Sequence, residues 1–235
     1  MRQIIIDTET TGLEPAKGHR IIEIGCVELI DRKLTGNNFH RYINPGREVE
    51  AEALAIHGIT NEFLHDKPIF ADILSDFLGF INGAELIAHN AVFDVGFINH
   101  EMRLLTQTAK SLDTYATIFD TLVLARKMFP GQRNTLDALC KRYKIDLSSR
   151  KLHGALLDAQ LLAETYLLMT GGQGSLFADS ELTQAEEASK TVLQKISKNR
   201  PALPIVLANN TETIAHQALL TIIKKKAGKC LWENK

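Results

Sequence analysis

The chain has 235 residues, of which 45% are hydrophobic and 23% charged, with a formal net charge of −1; that is enough apolar material for one sizeable core with an appendage. Near-neutrality excludes a protein that holds nucleic acid by a broad basic face, because such affinity is built from many Lys and Arg contacts to phosphates. No apolar run approaches the ~20 residues needed to span a bilayer, and Met1, Arg2, Gln3 and Ile4 form no cleavable leader, so a cytoplasmic protein with no membrane partner is expected.

Ile4, Ile5 and Ile6 form a β-branched run suited to a strand buried on both faces, and it stops at the turn-like Thr10-Thr11-Gly12. Two further strands are predicted, from about Arg20 to Leu29 and from about Asn37 to Ile43, separated by an Asp31-Arg32-Lys33 turn and closed by Asn44-Pro45-Gly46. Ile69, Ile73, Phe77, Phe80 and Ile81 then recur at helical spacing, with Pro68 suited to the first turn.

Glu85 to Ala88 reads as a short strand, and Asn90 as the cap of a helix reaching about Leu105. A fifth strand near Thr117 to Phe119 leads into a helix that stops at Pro130-Gly131. Helices over Asn134 to Tyr143 and Ala155 to Met169 complete the set. Three meandering strands followed by strand–helix alternation describe an α/β sheet of about five strands with helices on its faces.

Gly171-Gly172 ends this domain, expected over residues 1–172. Residues 173–200, rich in Ser, Gln, Glu and Lys, read as a flexible linker. In the remainder, 201–235, Ile214, Ala218, Leu219, Ile222 and Ile223 make an apolar stripe behind an Asn210 cap, a short amphipathic helix that needs something to pack against. Cys26, Cys140 and Cys230 are too few and scattered for a disulfide framework and read as free thiols, two of them in the core. Residues 1–170 carry 18 Lys and Arg against 22 Asp and Glu, while 171–235 carry 9 against 6. If the acidic front part works on nucleic acid, it must grip few nucleotides, offset its carboxylates with metal ions, or be delivered by a partner.

Four carboxylates stand out. Residues two apart on a strand share a face, so Asp7 and Glu9 sit side by side while Thr8 turns away; two such anions suit a hard cation such as Mg²⁺ or Mn²⁺, or else a solvated turn. Asp94 lies among Val92, Phe93, Val95, Phe97 and Ile98, and Asp158 among Ala155, Leu156, Leu157, Ala159, Leu161 and Leu162. A carboxylate in such apolar company needs a metal, a cap role or an Arg partner. His153, just before that last helix, is a loop imidazole with a pKa near neutrality, suited to proton abstraction from water and equally to a surface position.

Asp7, Glu9, Asp94 and Asp158, with His153 five residues before the last, resemble the DEDD exonuclease family in its histidine-containing branch. The surrounding text carries the likeness: Asp-Thr-Glu-Thr-Thr-Gly-Leu at 7–13, His-Gly-Ile at 57–59, His-Asn-Ala-Val-Phe-Asp at 89–94 and His-Gly-Ala-Leu-Leu-Asp-Ala at 153–159, within residues 2–170. The resemblance implies a ribonuclease-H-like sheet with the middle strand antiparallel, and two Mg²⁺ or Mn²⁺ ions held by Asp7, Glu9 and Asp158 with Asp94 in support. It further implies His153 as general base and hydrolysis from a 3′ end to nucleoside 5′-monophosphates. Glu52 and His57 should face the terminal nucleotide, the backbone around Thr10 its 3′-OH, and Leu13 the bases. Glu52 sits in a stretch that equally suits a solvated helical turn, and His89, between strand and cap, suits a structural role.

Over its whole length the sequence also resembles the proofreading subunits of bacterial replicative polymerases, through Leu-Thr-Gly-Asn-Asn-Phe-His at 34–40, Ala-Arg-Lys-Met-Phe-Pro-Gly at 125–131 and Gly-Lys-Cys-Leu-Trp at 228–232. That implies a single-stranded or frayed 3′ DNA end as substrate and a C-terminal segment binding the polymerase's catalytic alpha subunit. A small third core subunit would be a further partner. Gln173, Ser175, Leu176 and Phe177 resemble the peptide that docks in the pocket of the beta sliding clamp, two apolar anchors on an extended segment. Two other readings stay open: an RNA exonuclease of the same family, and a non-catalytic bridge between clamp and polymerase.

Overall fold

A computed structural model describes residues 1–148, 150, 152–171, 208–228 and 232. They fall in two units, one within Met1–Glu181 and one within Leu182–Lys235.

In the first unit, β1 (Arg2–Thr10), β2 (Ile21–Ile30) and β3 (Lys33–Tyr42) form a meander, followed by α1 (Ala51–His57), α2 (Asn61–Leu64) and α3 (Phe70–Ile81). Then come β4 (Glu85–Ala88), α4 (Ala91–Leu105), β5 (Thr117–Asp120), α5 (Thr121–Met128), α6 (Leu136–Tyr143) and α7 (Ala155–Gly171). The strands lie in the order β3-β2-β1-β4-β5. β1 is parallel to β4 and β4 to β5, whereas β2 runs antiparallel to both of its neighbours. The mixed five-stranded sheet is the ribonuclease-H-like one expected, its antiparallel strand being the middle one of the meander.

β1 is the axis of the packing. Ile4 and Ile6 face a core with Phe70, Phe77, Phe97 and Ile98 of α3 and α4, while Ile5 faces Ala159, Leu162 and Tyr166 of α7. Burial on both faces is what the β-branched run required. α7 comes unusually close to the sheet at Gly25 of β2, where a Cβ would lie 2.2 Å from the Leu156 nitrogen and 2.3 Å from the Ala155 carbonyl carbon. Only a residue without a side chain lets the start of α7 rest on the strand there.

Several expected boundaries shift, each for a local reason. β3 begins at Lys33 rather than near Asn37, because the β2–β3 turn is only Asp31-Arg32, both left-handed with φ of 49° and 65°; that geometry matches the twist of a two-residue hairpin. Pro68 lies outside α3, whose cap position is Ile69. Asn90 precedes α4 but in a left-handed conformation with no capping side chain; the carboxylate of Asp120 instead accepts from the Asn90 and Ala91 N–H groups at 3.2 and 3.1 Å. α6 is capped by Thr135, so Asn134 stays in the preceding loop. α1 and α2 are two short helices beyond those the sequence pattern predicts.

In the second unit, α8 (Asn210–Ala227) carries a capping box of Asn209 and Glu212, one residue earlier than the expected Asn210 cap. Ile214, Leu219, Ile222 and Ile223 on it are exposed. No helix among the described residues is long and apolar enough to cross a membrane. Cys26 and Cys140 are free and buried.

Gly25→Ala should therefore cost about 3 kcal/mol of stability by overpacking against helix backbone that cannot swing aside. Urea unfolding measures it, and a loss under ~0.5 kcal/mol, the level of an ordinary surface change, would contradict the close approach.

Candidate active site

Alternation along β1 puts Asp7 and Glu9 on the face that Ile5 turns toward α7. Asp158, in the first turn of α7, meets them there, buried to 3% exposure. The start of α7 is fixed from β2: Glu23, the ladder partner of Glu9, accepts the Ala155 N–H on Oε2 at 3.1 Å and pairs through Oε1 with His40 Nε2 at 2.7 Å. A strand carboxylate thus caps the helix that carries Asp158, and the cap satisfies one of the otherwise orphaned N–H groups of the first turn.

Thr8 turns to the opposite face, as alternation requires, and there its hydroxyl donates to Oδ1 of Asp94 at 2.7 Å. Asp94, 4% exposed, is delivered by the first turn of α4, which Asp120 holds against the end of β5. All four carboxylates of the sequence pattern therefore reach the C-terminal end of β1.

Their electrostatics are those of crowded anions for which one cation, Arg150 against Asp158, is too little compensation. Burial, then repulsion from Asp94, Glu9 and Asp158, pushes the Asp7 carboxyl well above the usual carboxylate range. Glu9 is pushed up to about 8, first by burial and then by Asp158, and Asp94 to about 7, chiefly by burial. Oδ1 of Asp158 is buried without a hydrogen bond. Hard carboxylate oxygens, mutually repelling and incompletely satisfied, are a donor set that suits Mg²⁺ or Mn²⁺. Ligand atoms of Glu9, His153 and Asp158 converge within 4.8 Å of one another.

His153 is partly exposed, its backbone N–H held by the Ile56 carbonyl at 3.1 Å. Nδ1 lies 3.0 Å from Oδ2 of Asp158 and 2.8 Å from Nη2 of Arg150. An arginine only donates, so Nδ1 serves one neighbour or the other according to its tautomer. The hydrogen bond to Asp158 raises the imidazole pKa. Asp158 thus has both the metal-suited company and the Arg partner that its apolar setting left open, the latter being Arg150 with Nε 2.6 Å from Oδ1.

Beside the carboxylates opens a cleft of about 540 Å³ lined by Thr8, Glu9, Thr10, Leu13, Glu52 and His57, among others. Glu52 is exposed on α1 and Leu13 is 76% exposed, whereas His57 is buried. Nδ1 of His57 accepts from the Ile59 N–H at 3.0 Å, which makes Nε2 the protonated nitrogen; it lies toward the Thr10 backbone without a well-formed partner. His19 bridges the two walls, Nδ1 to Thr11 Oγ1 at 3.2 Å and Nε2 to Glu50 at 3.2 Å. His89 is structural, held by Thr121 Oγ1 and the Asn134 carbonyl at 2.9 and 2.8 Å. Gln173, Ser175, Leu176 and Phe177 lie outside the described residues.

Sequence reasoning missed Thr8, Glu23, Asp120 and Arg150. Each acts through a partner 8 to 132 residues away, and neither periodicity nor local composition registers such contacts.

The raised carboxylates set a pH dependence for chelator-treated protein. Glu9 titrates at its ordinary 4.5 when unfolded but at about 8 when folded, so between these values the folded chain binds more protons and loses stability as pH rises. Thermal unfolding in EDTA should fall from pH 5 to pH 8 more steeply than in Glu9→Gln; equal slopes would contradict the burial of Glu9 among anions.

Known proteins place this geometry. The family model described as exonuclease (RNase_T) matches residues 4–166. DNA polymerase III subunit epsilon of Salmonella typhimurium is 53% identical over 98% of this chain and 97% of its own, and that of Escherichia coli 52% identical over the same shares. The solved structure of exonuclease X in complex with 5′ overhanging duplex DNA is 29% identical, with a TM-score of 0.57 over 74% of this chain and 93% of its own. With the family model spanning more than half its residues, the chain belongs to the exonuclease family and is, over nearly its whole length, a relative of the epsilon subunits of DNA polymerase III.

Proposed function

We propose that the chain is a 3′→5′ exonuclease that proofreads DNA synthesis, hydrolysing a mispaired terminal nucleotide to its 5′-monophosphate as a subunit of the replicative polymerase. The observation that carries this reading is the convergence of Asp7, Glu9, Asp94, Asp158 and His153 at one strand end, beside a cleft lined by Thr10, Leu13, Glu52 and His57. Support for DNA as substrate comes from relatives named as DNA polymerase subunits and from a related structure holding DNA.

Asp7, Glu9 and Asp158 would hold two Mg²⁺ or Mn²⁺ ions, with Asp94 behind them. Such ions supply a potent nucleophile at neutral pH and stabilise charge on the leaving oxygen. The protein's own groups do the rest. With the Nδ1 proton donated to Asp158, Nε2 of His153 takes the proton of the attacking water. The water oxygen bonds to phosphorus, the P–O3′ bond breaks, and the penultimate nucleotide keeps the oxygen, which takes a proton from solvent to become its new 3′-OH. Glu52 and His57 would face the terminal nucleotide, the backbone around Thr10 its 3′-OH, and exposed Leu13 the bases, all four residues lining the cleft. A cleft this small grips few nucleotides, consistent with the net negative charge of the first 170 residues.

Residues 1–172 form the exonuclease domain on this reading, 173–200 the linker with the clamp-binding peptide Gln173, Ser175, Leu176 and Phe177, and 201–235 the segment that binds the alpha subunit. A small third core subunit would be a further partner of that assembly. The exposed apolar residues of α8 support docking on a protein partner, since an isolated stripe of this kind would be left in water. Tethering then provides the effective concentration at the primer end that the charge of the front part does not.

Asp7→Ala should lower release of nucleoside 5′-monophosphates from a 3′-mismatched DNA primer by roughly a thousandfold or more, the scale on which loss of one catalytic group is felt. Circular dichroism should show the fold retained; comparable rates in the variant would remove Asp7 from the chemistry. Matched RNA strands should be cut more slowly than DNA, and RNA preference would favour the alternative substrate. Changing Leu176 and Phe177 to Ala should weaken binding to the sliding clamp by about tenfold or more, by analogy with loss of anchor residues elsewhere. Unchanged affinity would return that peptide to plain linker.

A further inference from the structure

Arg150 lies in the loop between α6 and α7, yet its side chain is only 7% exposed. The guanidinium stands between two carboxylates. It is ion-paired with Asp137 of α6 on one side, and on the other it grips both oxygens of Asp158, Nε 2.6 Å from Oδ1 and Nη2 2.7 Å from Oδ2. Nη2 also lies 2.8 Å from His153 Nδ1. One cation thus contacts two of the five residues of the proposed site and covers the carboxylate oxygens a metal would need.

Only half of the grip is a well-formed hydrogen bond, the donation from Nη2 to Oδ2. Nε and Oδ1 approach closely but misaligned, and both remain without a hydrogen bond. A buried carboxylate needs a counter-charge, but one held in imperfect geometry is replaceable by a hard ion that oxygen ligands suit better. Asp137, with a half-exposed side chain, gives the guanidinium somewhere to go.

We infer that Arg150 is a built-in counter-cation that occupies Asp158 in the metal-free protein and yields it to an incoming metal ion by withdrawing to Asp137. The inference rests on the metal role proposed for Asp158. Withdrawal has a second effect: it leaves Asp158 as the hydrogen-bonding neighbour of His153 Nδ1, which fixes the tautomer with Nε2 as acceptor. Arg150 is a positioning residue in this scheme, acting through Asp158 and His153.

Mn²⁺ titration calorimetry on the full chain, with thermal unfolding in EDTA, tests it. Arg150→Gln should melt lower without metal yet bind Mn²⁺ about tenfold tighter, as removal of a like charge next to the ion demands. Arg150→Lys keeps the charge and so guards the fold but loses the two-pronged grip; it should bind a few-fold tighter than the parent. Asp137→Asn should weaken Mn²⁺ binding in the parent by a few-fold, and do so much less in the Arg150→Gln background, a coupling that general destabilisation would not produce. Unchanged or weaker Mn²⁺ binding in both Arg150 variants, with the parent binding normally, overturns the inference. Absence of Mn²⁺ binding by the parent overturns the metal reading instead.

Discussion

Mutual repulsion among carboxylates at the end of β1 is the constraint around which this chain is organised. Asp7, Glu9, Asp94 and Asp158 are drawn together by elements that arrive from three parts of the sequence, and burial pushes the first three toward their neutral forms. A fold does not bring anions together at such cost for its own stability. It does so where a cation makes use of the field, and perturbed carboxylates in a cleft mark functional sites for that reason.

The surrounding structure supplies the rigidity that such crowding needs. Gly25 admits the start of α7 onto β2, and Glu23 caps that helix from the same strand. Thr8 ties Asp94 to β1, and Asp120 ties α4 to β5. Removing any of these leaves the carboxylates in place chemically while loosening the distances between them. The cleft wall is coupled in the same way: the Ile56 carbonyl holds the His153 backbone, so the helix that presents Glu52 and His57 and the loop that presents His153 are fastened to each other.

Much of this was legible in the sequence where the signal was local. The Ile4–Ile6 run, the alternation at Asp7 and Glu9, and the apolar neighbours of Asp94 and Asp158 gave the central strand and the carboxylates. What stayed hidden depends on contacts across the fold. Asn90 has the composition of a helix cap, but its left-handed backbone turns it out of the role and Asp120 fills it from thirty residues away. Arg150 looks like any loop arginine until α6 and α7 close on it. The α8 stripe is of another kind: its spacing was local and legible, and the structure leaves Ile214, Leu219, Ile222 and Ile223 exposed.

The most direct test of the account is anomalous diffraction from crystals grown with Mn²⁺ and a nucleoside 5′-monophosphate. Manganese held by Asp7, Glu9 and Asp158, with the nucleotide in the cleft beside His57, is the expected result. A nucleotide bound there with no manganese within coordination distance of Asp7 would contradict the assignment of this site as a metal-dependent exonuclease centre.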